Sequence, residues 1–275
     1  MGVVQVVAVY TYLYRMSVTA KFFTISVLML AAIEALFFAE KLPPVPGIGL
    51  VFVMGSSLAG FIAYRIYQAR KSSTQYGQEA AVLKQLQWYF AVLSFFWVVD
   101  IFPHVLLIIW GVDIGILTIT HWTAHIFLFL TVILSARIAT TFFNPKMLVP
   151  ATVFSTVLML IALSFSIILP DHLAYIPGSD YPLISADPLF SHVYTFASIV
   201  TSGFFGLYLI FKGFASAASM RMRAILLGLG FVFQVLIGMV IAYLHTWYAP
   251  ALIYLFIWGW VVFPGISALM STRRS

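Results

Sequence analysis

Two histidines one helical turn apart, His121 and His125, sit in the run "THWTAHIFLFL", and Asp100 and His104 repeat that spacing in "DIFPH". Residues four apart share one face of a helix, so each pair can act as a unit. Paired imidazoles can hold a transition metal through their ring nitrogens, and a neighbouring carboxylate can add a ligand or fix a ring tautomer. Pro103 loosens the backbone between Asp100 and His104 and can tilt the histidine. Both runs are otherwise apolar enough to lie in lipid, where an unpartnered ring nitrogen is costly.

The elements that must position these groups follow from composition. The chain has 275 residues, of which 63% are hydrophobic and 8% charged, with a mean hydropathy of +1.07. Soluble domains carry about a quarter charged residues, so this is an integral membrane protein. The absence of cysteine excludes disulfides, thiolate zinc sites, iron–sulfur clusters and thiol chemistry. A helix crosses the hydrocarbon with about 20 apolar residues. Eight stretches qualify: 21–39, 47–67, 88–110, 115–140, 147–169, 190–212, 222–245 and 249–270. The opening "GVVQVVAVYTYLY" is too short to cross and reads as interfacial or as an extension of the first helix. The expected fold is a single all-α domain over residues 1–275, an eight-helix transmembrane bundle.

The net charge of +6 comes from basic residues between the spans, so it reads as a topology signal and not as a nucleic-acid footprint. With both termini cytoplasmic, every Lys and Arg except Lys41 falls on the inner side, and the positive-inside rule is satisfied. Glu40, Asp113, Asp171, Asp180 and Asp187 then lie outside. The expected location is a prokaryotic plasma membrane. Two connections are long: residues 68–87 inside, with a partly helical pattern, and residues 170–188 outside, rich in Pro and Asp and long enough to cover a site.

This topology puts all six histidines on the outer half. His121 lies roughly 6 to 9 Å below the outer surface at helical rise, with His125 one turn deeper. Asp100 and His104 occupy a similar level on the preceding span, His192 opens the sixth, and His245 closes the seventh. His172 falls in the outer loop, where solvent accounts for it, and His245 beside "TWYAP" also suits the headgroup region. The small and hydroxylic face after His192 (Thr195, Ala197, Ser198, Thr201, Ser202, Gly203, Gly206) permits close helix approach or clearance for a flat macrocycle. Gly228, Gly230, Gln234 and Gly238 form a similar narrow face on the seventh span.

Two prosthetic groups fit this inventory. Haem b takes two axial histidines at similar depth across a bundle, and His104, His121, His192 and His245 supply four candidates in one layer. Copper takes imidazoles and optionally a carboxylate, and Asp100, His104, His121 and His125 would meet if the third and fourth spans pack side by side. The first expectation is therefore an electron-transfer subunit with haem b or a metal in the outer leaflet half, working with other membrane or redox subunits. The second is a copper-handling membrane protein. The third is a ligand sensor or transporter whose histidines are structural.

Local resemblances bear on the same choice. "FSHVYTFASIVTSGFFGLYLIFKG", followed by "SMRMR" and a span ending "QVLIGMVIAYLH", resembles one helical pair of the large subunit of cytochrome bd-type oxidases. That resemblance implies a haem b ligand at His192; the quinol-loop motif and acidic haem ligands of that family have no counterpart here. The same helix resembles the eight-helix copper-resistance membrane proteins, which match in length and span count. Asp100-Ile-Phe-Pro-His104 followed by His121 looks like the copper site of the membrane monooxygenase C-type subunit, with a different spacing to the last histidine. Retinal binding is excluded because the eighth span carries no lysine, and zinc-protease chemistry because "HWTAH" lacks the glutamate.

Overall fold

The computed structural model describes residues 17–42, 44–72, 77–110, 114–169, 172–175, 182–185, 187–244 and 246–271. The opening stretch read above as interfacial lies outside the described residues, as does His245. The helices are α1 (Val18–Phe38), α2 (Pro44–Ser72), α3 (Gln78–Trp110), α4 (Ile114–Phe143), α5 (Leu148–Ile168), α6 (Pro188–Ser198), α7 (Phe204–Phe214), α8 (Ala218–Tyr243) and α9 (Ala249–Ser271). A π turn, Ile199–Gly203, joins α6 to α7, so together they form the sixth span. Among the described residues, eight helical spans are long and apolar enough to cross a bilayer. The chain is an all-α membrane bundle, as its composition requires: in hydrocarbon each span must satisfy its own backbone.

Local signals set the ends. Ser17 caps α1 by accepting from the Ala20 amide at 3.2 Å, and Asp187 caps α6 by accepting from the Leu189 amide at 2.8 Å, with Pro188 in the first turn. Helix α3 begins well before the apolar run expected for the third span. The added turns bury Val82, Leu83 and Leu86, and Gln78 donates to the main-chain carbonyls of Thr141 and Phe142 at the end of α4. An amphipathic extension with a buried face and anchored ends is worth forming, although its composition is too polar for lipid.

Two apolar clusters organise the interior. The larger is aromatic and joins α3, α8 and α9 through Tyr89, Phe90, Trp97, Phe231 and Trp260; Trp97 and Trp260 meet edge-to-face at 5.3 Å, and the Trp260 indole donates to the Tyr89 hydroxyl. The smaller cluster, Phe129, Val132, Met159, Ala162, Phe190 and Ala197, joins α4, α5 and α6. The outer surface carries Leu28, Val149, Ile168 and Phe211, each more than half exposed. Water would penalise such a surface, whereas lipid accepts it.

The narrow glycine faces serve close packing. A Cβ on Gly206 would lie 2.9 Å from the Gly228 carbonyl oxygen, and one on Gly228 would strike the Gly206 carbonyl, so α7 and α8 touch through their backbones. Within the loop at 170–188, the residues His172–Tyr175 and Pro182–Ser185 form an antiparallel hairpin, β1 and β2, with His172 opposite Ser185 and Tyr175 opposite Pro182. Strand β2 lies against α3 and α4, the helices that carry Asp100, His104 and the histidine pair.

Candidate functional site: a histidine pair between four helices

Helix α4 packs between α3 and α5. Their i, i+4 spacing puts the two imidazoles on one face, as expected: the His121 and His125 ring centroids are 4.2 Å apart, tilted by 47°. His125 is buried, and the smaller apolar cluster walls it in. Its ring stacks on Phe129 at 6.1 Å and meets Phe190 and Tyr194 of α6 at 4.9 and 6.5 Å. Its Nδ1 lies 3.4 Å from the Ser166 hydroxyl of α5. With Nδ1–H donating to that hydroxyl, the Nε2 lone pair is left available to a ligand, the division of labour usual for metal-binding histidine.

The register between α3 and α4 decides what else reaches this level. Phe95 stacks on Phe127 at 6.2 Å, and Gln85 donates to the Thr141 hydroxyl at 3.0 Å. The two helices are therefore antiparallel neighbours, and Asp100 falls at about the level of His121, as the copper expectation requires. Asp100 is half-buried at that level. His104 lies one turn beyond Asp100 on α3; its side chain lies outside the described residues, as does that of His172. Among the described residues, no group of three or more His, Asp or Glu side chains could hold a metal ion as they stand. The described unit is the imidazole pair, with Asp100 at the same level.

His192 stands apart from that unit. It is exposed at the start of α6, where its Nδ1 lies 3.0 Å from the Tyr243 hydroxyl of α8 and the two rings stack at 5.0 Å. Residues two apart on a helix point roughly 200° from one another. Phe190 and Tyr194, on either side of His192, meet His125. His192 therefore points away from the pair and fastens α6 to α8.

A second polar constellation lies deeper. Gln234 of α8 donates through Nε2 to the Thr131 hydroxyl of α4 at 2.9 Å and accepts from the Ser202 hydroxyl at 3.2 Å. All three side chains are buried, and Ser202 belongs to the π turn. At the opposite end of the bundle, Arg223 pairs with Glu79 at 3.1 Å and rides over the Phe142 ring.

Sequence reasoning singled out the histidines and the hydroxylic face of the sixth span. It missed Ser166, Phe190 and Tyr194 as the walls of the His125 pocket, and the i, i+4 spacing of Phe190 and Tyr194 was the only available signal. Comparison with protein-family models, curated proteins and solved structures gives no match to the chain. The local resemblances to oxidase and copper-protein segments accordingly rest on their motifs alone.

Proposed function

We propose that this multi-spanning membrane protein handles copper, binding it between His121 and His125, with Asp100 and His104 of the adjoining helix completing the site. The observation that carries the reading is the meeting of two imidazoles at 4.2 Å inside a membrane bundle, one of them oriented by a hydroxyl on its far nitrogen. Two imidazoles suit a copper ion that cycles by one electron, Asp100 would have to draw in from the adjoining helix to add a third ligand, and the walls of Phe129, Phe190 and Tyr194 limit its contact with water. The site lies in the half of the bundle away from every basic residue but Lys41, facing the outside of a cell membrane, and would exchange metal or electrons with a partner subunit.

An electron-transfer subunit with haem b ligated by His121 together with His192 or His245 is the competing assignment. It has less support, because His192 points away from the pair toward Tyr243. A solute transporter with structural histidines is favoured by one observation, the π turn beside the buried Gln234 network, since such turns recur at functional sites.

The test is the purified protein's visible spectrum, oxidised and dithionite-reduced, with metal analysis of the same sample. Bound copper without a reduced alpha band supports the proposal. An alpha band moves the assignment to haem, and neither metal nor haem leaves the histidines structural.

A further inference from the structure

Glu34 places a carboxyl group inside the first membrane span. It lies four residues before Phe38, where α1 ends, and so about 6 Å below the outer end at helical rise. Helix α1 packs against α9 and α2, and its buried residues Phe22, Ser26, Ile33 and Phe37 mark the packed face. Glu34 sits at the edge of that face beside Ile33 and is half-buried. Around it Ala31, Ala35, Leu36 and Phe38 are exposed, a surface that suits lipid and not water.

Nothing described compensates this carboxyl. Its Oε2 is enclosed and, among the described residues, has no hydrogen-bond partner. A carboxylate drawn toward the headgroups would keep both oxygens open to water, which the enclosed Oε2 is not. No cation faces it from the helices packed on α1. The only ionisable group of α9 is Tyr254, fully buried, whose ring meets Phe37 edge-to-face at 5.9 Å. The ionisable groups of α2 (Tyr64, Arg65, Tyr67, Arg70 and Lys71) lie toward its opposite, inner end. On α1 itself Lys21 is about 20 Å away at helical rise, and Glu40 and Lys41 follow the helix in exposed positions.

A carboxylate without a partner in such surroundings sheds its charge by taking up a proton, and intramembrane carboxyls recur along proton paths. We propose that Glu34 is a proton-binding site, which holds its proton as the neutral acid in the outer half of the membrane and exchanges it with the outer aqueous side one helical turn away. The ligand is the proton itself. The site is independent of the copper reading: α1 packs on α9 and α2, whereas His125 meets groups of α5 and α6.

The experiment is covalent labelling of the whole protein in lipid vesicles with dicyclohexylcarbodiimide, a membrane-soluble reagent, read by peptide mass spectrometry. The reaction needs the acid form. The carboxyl proton passes to one carbodiimide nitrogen while the carboxyl oxygen bonds to the central carbon; the acyl group then moves to nitrogen as a stable N-acylurea, and nothing leaves. Glu34 is expected to be labelled in neutral buffer and to lose that labelling as the buffer is made alkaline. Glu79, exposed and paired with Arg223 at 3.1 Å, is the charged control and should stay unlabelled. A charged, water-soluble carbodiimide should spare Glu34, and Glu34→Gln should remove the label from its peptide. If Glu34 is unlabelled at every pH, if it reacts as readily with the charged reagent, or if the label persists in Glu34→Gln, the proposal is overturned.

Discussion

The Nδ1 of His125 reaches from α4 to the Ser166 hydroxyl of α5, 3.4 Å away, while its ring lies against its neighbour His121. Such partners of a metal-bound histidine hold its tautomer, and losing one typically costs about tenfold or more in metal affinity. Ser166→Ala should therefore weaken copper binding by about tenfold, and leaving the buried Nδ1 unpaired should cost about 1 to 3 kcal/mol of stability. A competition titration against a copper(I) chelator reads the change. Unchanged affinity would mean that Ser166 does not orient a ligand.

His192 and Tyr243 should behave differently. Their bond joins α6 to α8 on the exposed surface, away from the histidine pair. His192→Ala should leave copper content intact and cost about 1 kcal/mol or less, the usual net value of one exposed hydrogen bond. Thermal unfolding and metal analysis of the same preparation check both halves. Loss of a chromophore in this variant would instead support the haem assignment.

How far the sequence reached is seen best at these residues. The eight spans and the shared face of His121 and His125 were legible, because apolar length and i, i+4 spacing are local properties of a helix. That Asp100 shares their level was legible too, because a short connection forces α3 and α4 together. The facing of His192 was not. It depends on the rotation of α6, fixed by Phe190 and Tyr194 packing on His125 and by contacts along α8, none of them encoded nearby in the chain. The hairpin in the outer loop and the π turn in the sixth span also depend on tertiary context that spacing does not reveal.

The glycine seam gives a stability prediction. Gly228→Ala drives a methyl group into the Gly206 carbonyl and the Ile210 backbone, where only the helices themselves can yield. Overpacking of this kind costs about 1 to 3 kcal/mol, so the melting temperature in detergent should fall clearly. Gly238→Ala, which meets no atom closer than 3.8 Å, should leave it nearly unchanged.

Orientation can be read directly, because the chain has no native cysteine to interfere. Lys41 and Ala217 are both exposed, at opposite ends of the bundle. A membrane-impermeant maleimide should label Lys41→Cys on intact cells and Ala217→Cys only after the membrane is opened. The reverse pattern would put the histidine pair on the cytoplasmic side.

The central claim is that His121 and His125 together hold copper. Its most direct test is the copper content of purified protein, normalised to quantitative amino-acid analysis, for the unmodified chain and for His121→Ala, His125→Ala and Asp100→Ala. The account predicts stoichiometric copper in the unmodified chain, loss in either histidine variant and a reduced level in Asp100→Ala. Full copper in both histidine variants, or none in the unmodified protein, would contradict it.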